Sequence, residues 1–532
     1  MASTAYCSPE FSDRPWLEDK LACDYFYSIL TSLYALVAVV FAIVLELSQK
    51  FTPPEWLPET IFYMYMYGVG ILFLLYCYLF MIYPGWFNYL LKIAEKYGWI
   101  PMTKNWYITK THHTGEGAGS LYLRLGTLFF GSIGIVLFGL EIFMCISSYQ
   151  CYTHQLVNLG FACTFTFIQM HFVFCNSKIA FVGSKNFAKL GTMHLLAINL
   201  WTWLRFVLAK HAAKMSGHEA GEDAYFVMDI TVPEMTSIGN MNITMEKKST
   251  KMSSFDYFGD LATFLTTCIV EYSVIGAAIM FVLWRSIDHH HSHRATGTFK
   301  RKSKVRIDCS SSSGGLFTGV LFLIGSFVSI GIYSIFWQKS ESKAALLVFR
   351  LSDMALFCFT LFGCSFGLYR MRLLQYSQVV SSNAEFLDKI LLGIGVLGEL
   401  THCSTGISCW VAMQSDKDKL ETYMLFVFTI RMVQVIIQTI FILLSKRLRA
   451  LSEKVVAEKP GKQFVTFLLL ANVSLFVFHT LEGMKSVFGD AASNARARPY
   501  TFLITAVSPL IVFFRFHSSV CLAEIWKNCY NV

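Results

Sequence analysis

Charge is scarce in this chain. Asp, Glu, Lys and Arg make up 15% of the 532 residues, where soluble globular domains carry about a quarter, so an ordinary soluble fold is excluded. The signatures of soluble enzymes are missing as well. Gly115, Glu116, Gly117, Ala118 and Gly119 read as a flexible loop, with no preceding strand and no dinucleotide or phosphate-loop spacing. No zinc-protease, nucleophile-elbow or kinase pattern occurs, and no paired-aspartate or histidine-box motif suggests an intramembrane enzyme. Neither enzyme activity nor a cofactor is expected. The 15 cysteines include no CxxC pair, and most lie in apolar runs where a thiol behaves as a small hydrophobe. Only Cys145 and Cys151 sit near one outer connection as candidates for a disulfide. A basic leader is absent too, because Glu10, Asp13, Glu18 and Asp19 outnumber Arg14 and Lys20 ahead of the first apolar run. Insertion is expected to rely on that run.

What is present is apolar. Hydrophobic residues reach 55%, with 48 Phe and 25 Tyr, and mean hydropathy is +0.49, as in a polytopic membrane protein. Twelve runs approach the roughly 20 residues that span about 30 Å of hydrocarbon. They are Tyr25–Leu47, Ile61–Tyr83, Leu121–Ser147, Leu159–Phe181, Leu190–Lys210, Leu261–Arg285, Gly314–Trp337, Ala345–Leu368, Leu387–Ala412, Glu421–Leu444, Phe464–Met484 and Thr501–Glu524. The connections after the even-numbered spans hold 22 Lys and Arg, and the short ones on the other side hold eight. The positive-inside rule puts the richer set and both termini in the cytoplasm. The formal charge of +9 then belongs largely to one membrane side, and nucleic acid is not implied.

The long connection from His211 to Asp260 falls outside on this topology. Its Asn242, Ile243, Thr244 triplet is a glycosylation sequon, which agrees with that side. Its acidic residues either gather protons at a mouth or simply solvate a loop. Between the sixth and seventh spans, His289, His290, His291 and His293 precede a basic run. No Cys or carboxylate stands at clear ligand spacing beside them, so a cytoplasmic linker is expected there and no metal site is assigned.

The halves look related. Leu195, Leu196, Ala197, Ile198, Asn199 in the fifth span resembles Leu468, Leu469, Leu470, Ala471, Asn472 in the eleventh; Gln169 in the fourth is matched by Gln438 in the tenth. The expected organisation is all-α, twelve transmembrane helices in two six-helix repeats. A cytoplasmic segment (1–24) leads into the first half (25–285), a linker (286–313), the second half (314–526) and a cytoplasmic tail (527–532).

Ionisable residues recur at membrane depth, where each charge costs roughly 2.5–3.5 kcal/mol and usually faces a bundle interior or a water path. The candidates are Glu141, His171, His194, Glu271, Arg350, Asp353, Glu399, His402, Arg431, His479, Glu482, Arg515 and His517. Histidine exchanges protons near neutral pH, so His and Glu at this depth suit a proton path. Bland alternatives stand beside that reading. Arg350 with Asp353, and Glu399 with His402, are three apart and can pair locally. Gln169, Asn199, Gln438 and Asn472 can act as interhelical glue. Arg515 fits an interfacial anchor or a buried ion-pair partner, and His517 fits a gate or a packed hydrogen-bond network, with a carboxylate from another helix as its expected partner. Glu524 is expected at the interface.

The closing run Phe513, Phe514, Arg515, Phe516, His517, Ser518, Ser519, Val520, Cys521, Leu522, Ala523, Glu524, Ile525, Trp526 resembles the end of an otopetrin. So do Lys459, Pro460, Gly461, Lys462, Gln463; the stretch from Gln169 to Lys178; Met193 to Asn199; Glu271 to Ala278; and Gly139, Leu140, Glu141. The resemblance implies a proton-selective channel of the cell membrane, opened by extracellular acid and assembled as a homodimer, with lipid, sterol among the candidates, as a further partner. It ties Glu271 and His517 most closely to permeation or gating, with Glu141, His194, Glu399, His402 and Glu482 as further pathway candidates. Gln169, Asn199, Gln438 and Asn472 become constriction or interface groups, and Asn242 a glycan site. One departure stands out: related channels carry an acidic residue near the outer end of the fifth span, where this chain reads Ala209, Lys210, His211. A proton-coupled secondary transporter and a non-conducting membrane scaffold remain the alternative readings.

Overall fold

A computed structural model describes residues 20–51, 56–98, 107–108, 121–147, 151–176, 185–219, 260–289, 312–339, 341–376, 383–414, 420–482 and 496–530. The sequon at Asn242, His290, His291 and His293, and the Gly115–Gly119 loop lie outside the described residues, as do the side chains of His289 and Glu482.

The first half contains α1 (Lys20–Phe51), α2 (Trp56–Tyr76), α3 (Gly85–Lys96), α4 (Leu121–Ser147), α5 (Thr153–Asn176), α6 (Lys185–Glu219) and α7 (Asp260–His289). The second contains α8 (Ser313–Gln338), α9 (Ser342–Met371), α10 (Asn383–Met413), α11 (Thr422–Ser445), α12 (Glu453–Glu458), α13 (Lys462–Glu482) and α14 (Arg498–Asn528). Twelve of these are long and apolar enough to cross a membrane. All but α3 and α12 match the expected spans; α4 has both expected ends, α8 and α11 differ by one residue at each end, and residues 177–181 of the expected fourth span lie outside the described residues. The short α3 was too brief and too basic to read as a span. At the end of α2 the hydrogen bonding widens to a π-helical stretch over Cys77–Ile82. A two-residue ribbon pairs Gln375 with Arg449 and Tyr376 with Leu448.

The two halves repeat the same neighbour relations. In each, the third span packs on the sixth and the fourth, the fifth on the first, second and sixth, and the second on the fourth. Such shared pairings carry the repeat beyond motif resemblance. The sixth and twelfth spans, α7 and α14, are the most deeply buried. They meet at a seam, where α7 also touches α10, and α14 touches α4 and α6. Apolar contacts make part of the seam: Phe130 of α4 meets Phe516 of α14 edge-on at 4.8 Å between ring centres, and Phe513 joins the first half's core.

The Lys459–Gln463 motif has a local cause. Lys459 (φ 46°) and Gly461 (φ 85°) both take left-handed backbone, a region nearly free of cost only for glycine. A Cβ on Gly461 would meet Met371, and the Tyr530 hydroxyl donates to Pro460 O at 2.8 Å, tying the C-terminal end to this turn.

Candidate functional site

In the first half a polar knot joins α5, α6 and α7. Gln169 Nε2 donates to Asn199 Oδ1 at 2.9 Å, and Asn199 Nδ2 donates back to Gln169 Oε1 at 3.0 Å. Gln169 Nε2 also reaches the Tyr272 hydroxyl at 3.1 Å, which donates to Thr166 O at 3.3 Å. Gly276 makes this packing possible, since a Cβ there would stand 2.5 Å from Asn199 Oδ1. Glue is thus one realised role of the pair. Asn199→Leu should destabilise the protein by about 1–3 kcal/mol, because Gln169 is left buried with unmet polar atoms. Replacing both partners by apolar side chains should cost less. Thermal unfolding of the purified variants distinguishes the two.

The second half repeats this geometry. Gln438 Nε2 donates to Asn472 Oδ1 at 2.8 Å, and Asn472 Nδ2 donates to Leu468 O at 2.8 Å, as Asn199 does to Leu195 O at 2.7 Å. Here the knot runs on into buried charge. Gln434 donates to Gln438 Oε1 at 2.7 Å and accepts from Arg515 Nη1 at 3.0 Å. Arg515 and Arg431 both hold Glu399, each at 2.8 Å. Arg431 also reaches Asp353 at 3.8 Å, and His479 Nε2 lies 3.2 Å from Asp353 Oδ1. The expected local pair of Arg350 with Asp353 is present at 4.0 Å, as one link of this larger network. Glu399 is taken by two arginines, and the His402 ring lies against Phe428. Arg515 proves to be a buried ion-pair partner rather than an interfacial anchor.

The remaining candidates are spread over the bundle. His194 accepts at Nδ1 from the Tyr34 hydroxyl at 2.6 Å and donates from Nε2 to Met66 O at 2.9 Å; Tyr65 contacts Tyr34 at 2.6 Å. That pins α1, α2 and α6 together. Glu141 is half-buried on α4 and acts electrostatically on Arg205 of α6. Trp201 Nε1 donates to Glu46 at 2.9 Å nearby.

Glu271 and His517 are both neighbours of Phe513 at the seam. Glu271, 1% exposed, faces the Phe513 backbone of α14. Phe513 stacks on the His517 ring at 5.7 Å with 8° between planes, and the two residues are one turn apart, about 6 Å of rise. His517 Nε2 then donates to Asp388 O of α10 at 3.1 Å, and Cys521 Sγ lies 3.5 Å from the same nitrogen. The Asp388 carboxylate is bound by Lys446, which reaches Glu524 at 3.3 Å. Burial alone would lower the pKa of Lys446; the neighbouring Cys521, Asp388 and Glu524 outweigh that and raise it. On the other side of Glu271, Lys210 is buried and donates to Thr267 Oγ1 at 3.0 Å, one turn before Glu271 on α7. The lysine that departs from the expected acidic residue is therefore turned inward, and its charge acts on Glu271.

Asp388 and Lys446 were not singled out from sequence. Lys446 was counted as a loop charge, and Asp388 stood at the edge of an apolar run. Its i+3 and i+4 neighbours Leu391 and Leu392 share its face and are buried, and that spacing was the available signal.

The otopetrin family profile matches residues 122–516. The chain belongs to the otopetrin family. Among curated otopetrin relatives it is 27% identical, over an alignment of 592 positions, to the proton channel OtopLc of Drosophila melanogaster, covering 98% of this chain and 36% of that one. It is 23% identical over 299 residues to the proton channel OTOP1 of Danio rerio, covering 54% of this chain and 48% of the relative. The otopetrin chain described here thus spans less than half the length of either relative.

Proposed function

We propose that this otopetrin chain is a proton channel of the cell membrane, opened by extracellular acid and assembled as a homodimer, and that protons follow the α7–α14 seam. The observation that carries the reading is the alignment of Glu271, Phe513 and His517 along that seam, in a chain similar over 98% of its length to a protein named a proton channel. Glu271 takes up and releases the proton, and His517 passes it toward Asp388 and Glu524. The second half's centre favours a structural role instead, since its buried guanidiniums and carboxylates are tied to one another in an ion-pair network among the described residues.

Both termini are assigned to the cytoplasm, with residues 286–313 as a cytoplasmic linker between halves 25–285 and 314–526, and Asn242 as a glycan site outside. The Cys145–Cys151 disulfide supports this, because it joins α4 to the following connection on the side that the charge count places outside. A groove of about 460 Å³ between α4 and α14, lined by Tyr122, Phe129, Phe516 and Trp526 among others, offers apolar walls to a lipid or sterol. A proton-coupled transporter would favour broken helices at midplane. The glycine series Gly393, Gly395, Gly398 lies within unbroken α10 and Pro509 within unbroken α14, which lends that alternative no support. Purified protein in liposomes tests the proposal. With a pH gradient and valinomycin-clamped potassium, internal acidification should proceed with no added solute; acidification that requires and saturates with a solute would favour the transporter.

A further inference from the structure

The geometry points to a binding site for a soft divalent cation, with Zn²⁺ as the chemical type, formed by Asp388, His517 and Cys521 near the C-terminal end of α14. One ligand atom from each of the three residues lies within 4.8 Å of the others, and all three side chains are buried. His517 and Cys521 are four apart on one helix, which presents both to the same side. Zinc bonds of about 2.3 Å to sulfur and 2.0–2.1 Å to nitrogen, at a tetrahedral angle, make an S···N edge of about 3.6 Å. The observed separation of Cys521 Sγ and His517 Nε2 is 3.5 Å.

A second observation is independent of that spacing. Asp388 is 4% exposed, and its Oδ1 has no hydrogen-bond partner among the described residues, because Lys446 holds Oδ2. A buried carboxylate oxygen left in this state is costly unless something binds it. A metal on Oδ1 leaves the Lys446 contact in place.

Charge also balances. With a neutral thiol and imidazole, Asp388, Glu524 and Lys446 together carry one net negative charge. A divalent cation that displaces the Cys521 thiol proton adds one net positive charge and makes the pocket neutral. The other proton on the pair moves within the ring: Nε2 gives up its proton to bind the metal and Nδ1, which has no partner among the described residues, takes one up. Entry runs past Glu524 and Lys446, which are 19% and 10% exposed. The fourth position is left for water, as at three-ligand zinc sites. His171 and Cys175 supply an internal comparison. Their Nε2 and Sγ stand 3.6 Å apart with the same four-residue spacing, but no carboxylate joins them among the described groups.

Cd²⁺ is the probe, because its thiolate complexes absorb in the ultraviolet. Full-length protein in detergent is titrated with Cd²⁺, and Zn²⁺ is then added as competitor. The wild type should show one thiolate-to-metal band per chain that Zn²⁺ removes. Cys521→Ser, nearly isosteric, should lose the band, Asp388→Asn should weaken binding at least about tenfold, and Cys175→Ser should match the wild type. If Asp388→Asn does not fold, Cys521→Ser and Cys175→Ser decide alone. A wild type without the band, or a Cys521→Ser protein that keeps it at unchanged affinity, overturns the assignment. None of these outcomes depends on proton conduction.

Discussion

Glu399→Ala is expected to lower the protein's thermal stability sharply. The carboxylate is 0% exposed and holds Arg431 and Arg515 together, so its removal takes a 2.8 Å ion pair from each of two buried guanidiniums. Breaking a buried ion pair by taking away one partner costs about 3–5 kcal/mol, against a total stability of about 5–15 kcal/mol for a folded protein. Arg350→Met, which removes a 4.0 Å contact to Asp353 and leaves both Glu399 pairs in place, should be much milder. Size-exclusion profiles after graded heating of the two variants and the wild type measure this. Equal thermal stability of Glu399→Ala and wild type would show that the network does not hold the second half together.

The second large effect concerns the seam. Glu271→Gln should lower acid-evoked proton current at least about tenfold, the factor given by roughly 1.4 kcal/mol of added barrier, with surface expression unchanged. An amide keeps the shape of the carboxylate and can still pack against Phe513, but it does not exchange a proton. Glu271→Asp should keep part of the current. Lys210 enters the same balance, because its charge acts on Glu271. Current of wild-type size in Glu271→Gln, at matched surface density, would move the path away from this seam.

Much of this was legible from the chain, for reasons that are physical. Span length and apolar continuity fix helices in a bilayer because every backbone group must be satisfied within the segment, and twelve runs became twelve helices. The repeat was visible in Asn199 and Asn472 because each must cap its hydrogen bonds inside the bundle: on the preceding turn and on a glutamine one helix away. What escaped was partnership across helices. Glu399 and His402 are close in sequence, yet Glu399 is claimed by arginines from α11 and α14, and no local spacing encodes that. Lys446 was lost for another reason. At the end of a span it counts equally well as a topology charge or as a buried partner, and only the carboxylates of Asp388 and Glu524 decide which. The amphipathic α3 was missed because its lysines Lys92 and Lys96 read as loop charge in a stretch too short to span.

A channel of the proposed kind should pass protons and little else. The most direct measurement is the reversal potential in whole-cell recordings with protons as the sole permeant cation, while the external pH is stepped downward. The expected result is a shift of ~59 mV per pH unit, the one-charge Nernst slope. A reversal potential that stays fixed as the proton gradient changes, or acid-evoked current no larger than in control cells despite protein at the surface, would contradict it.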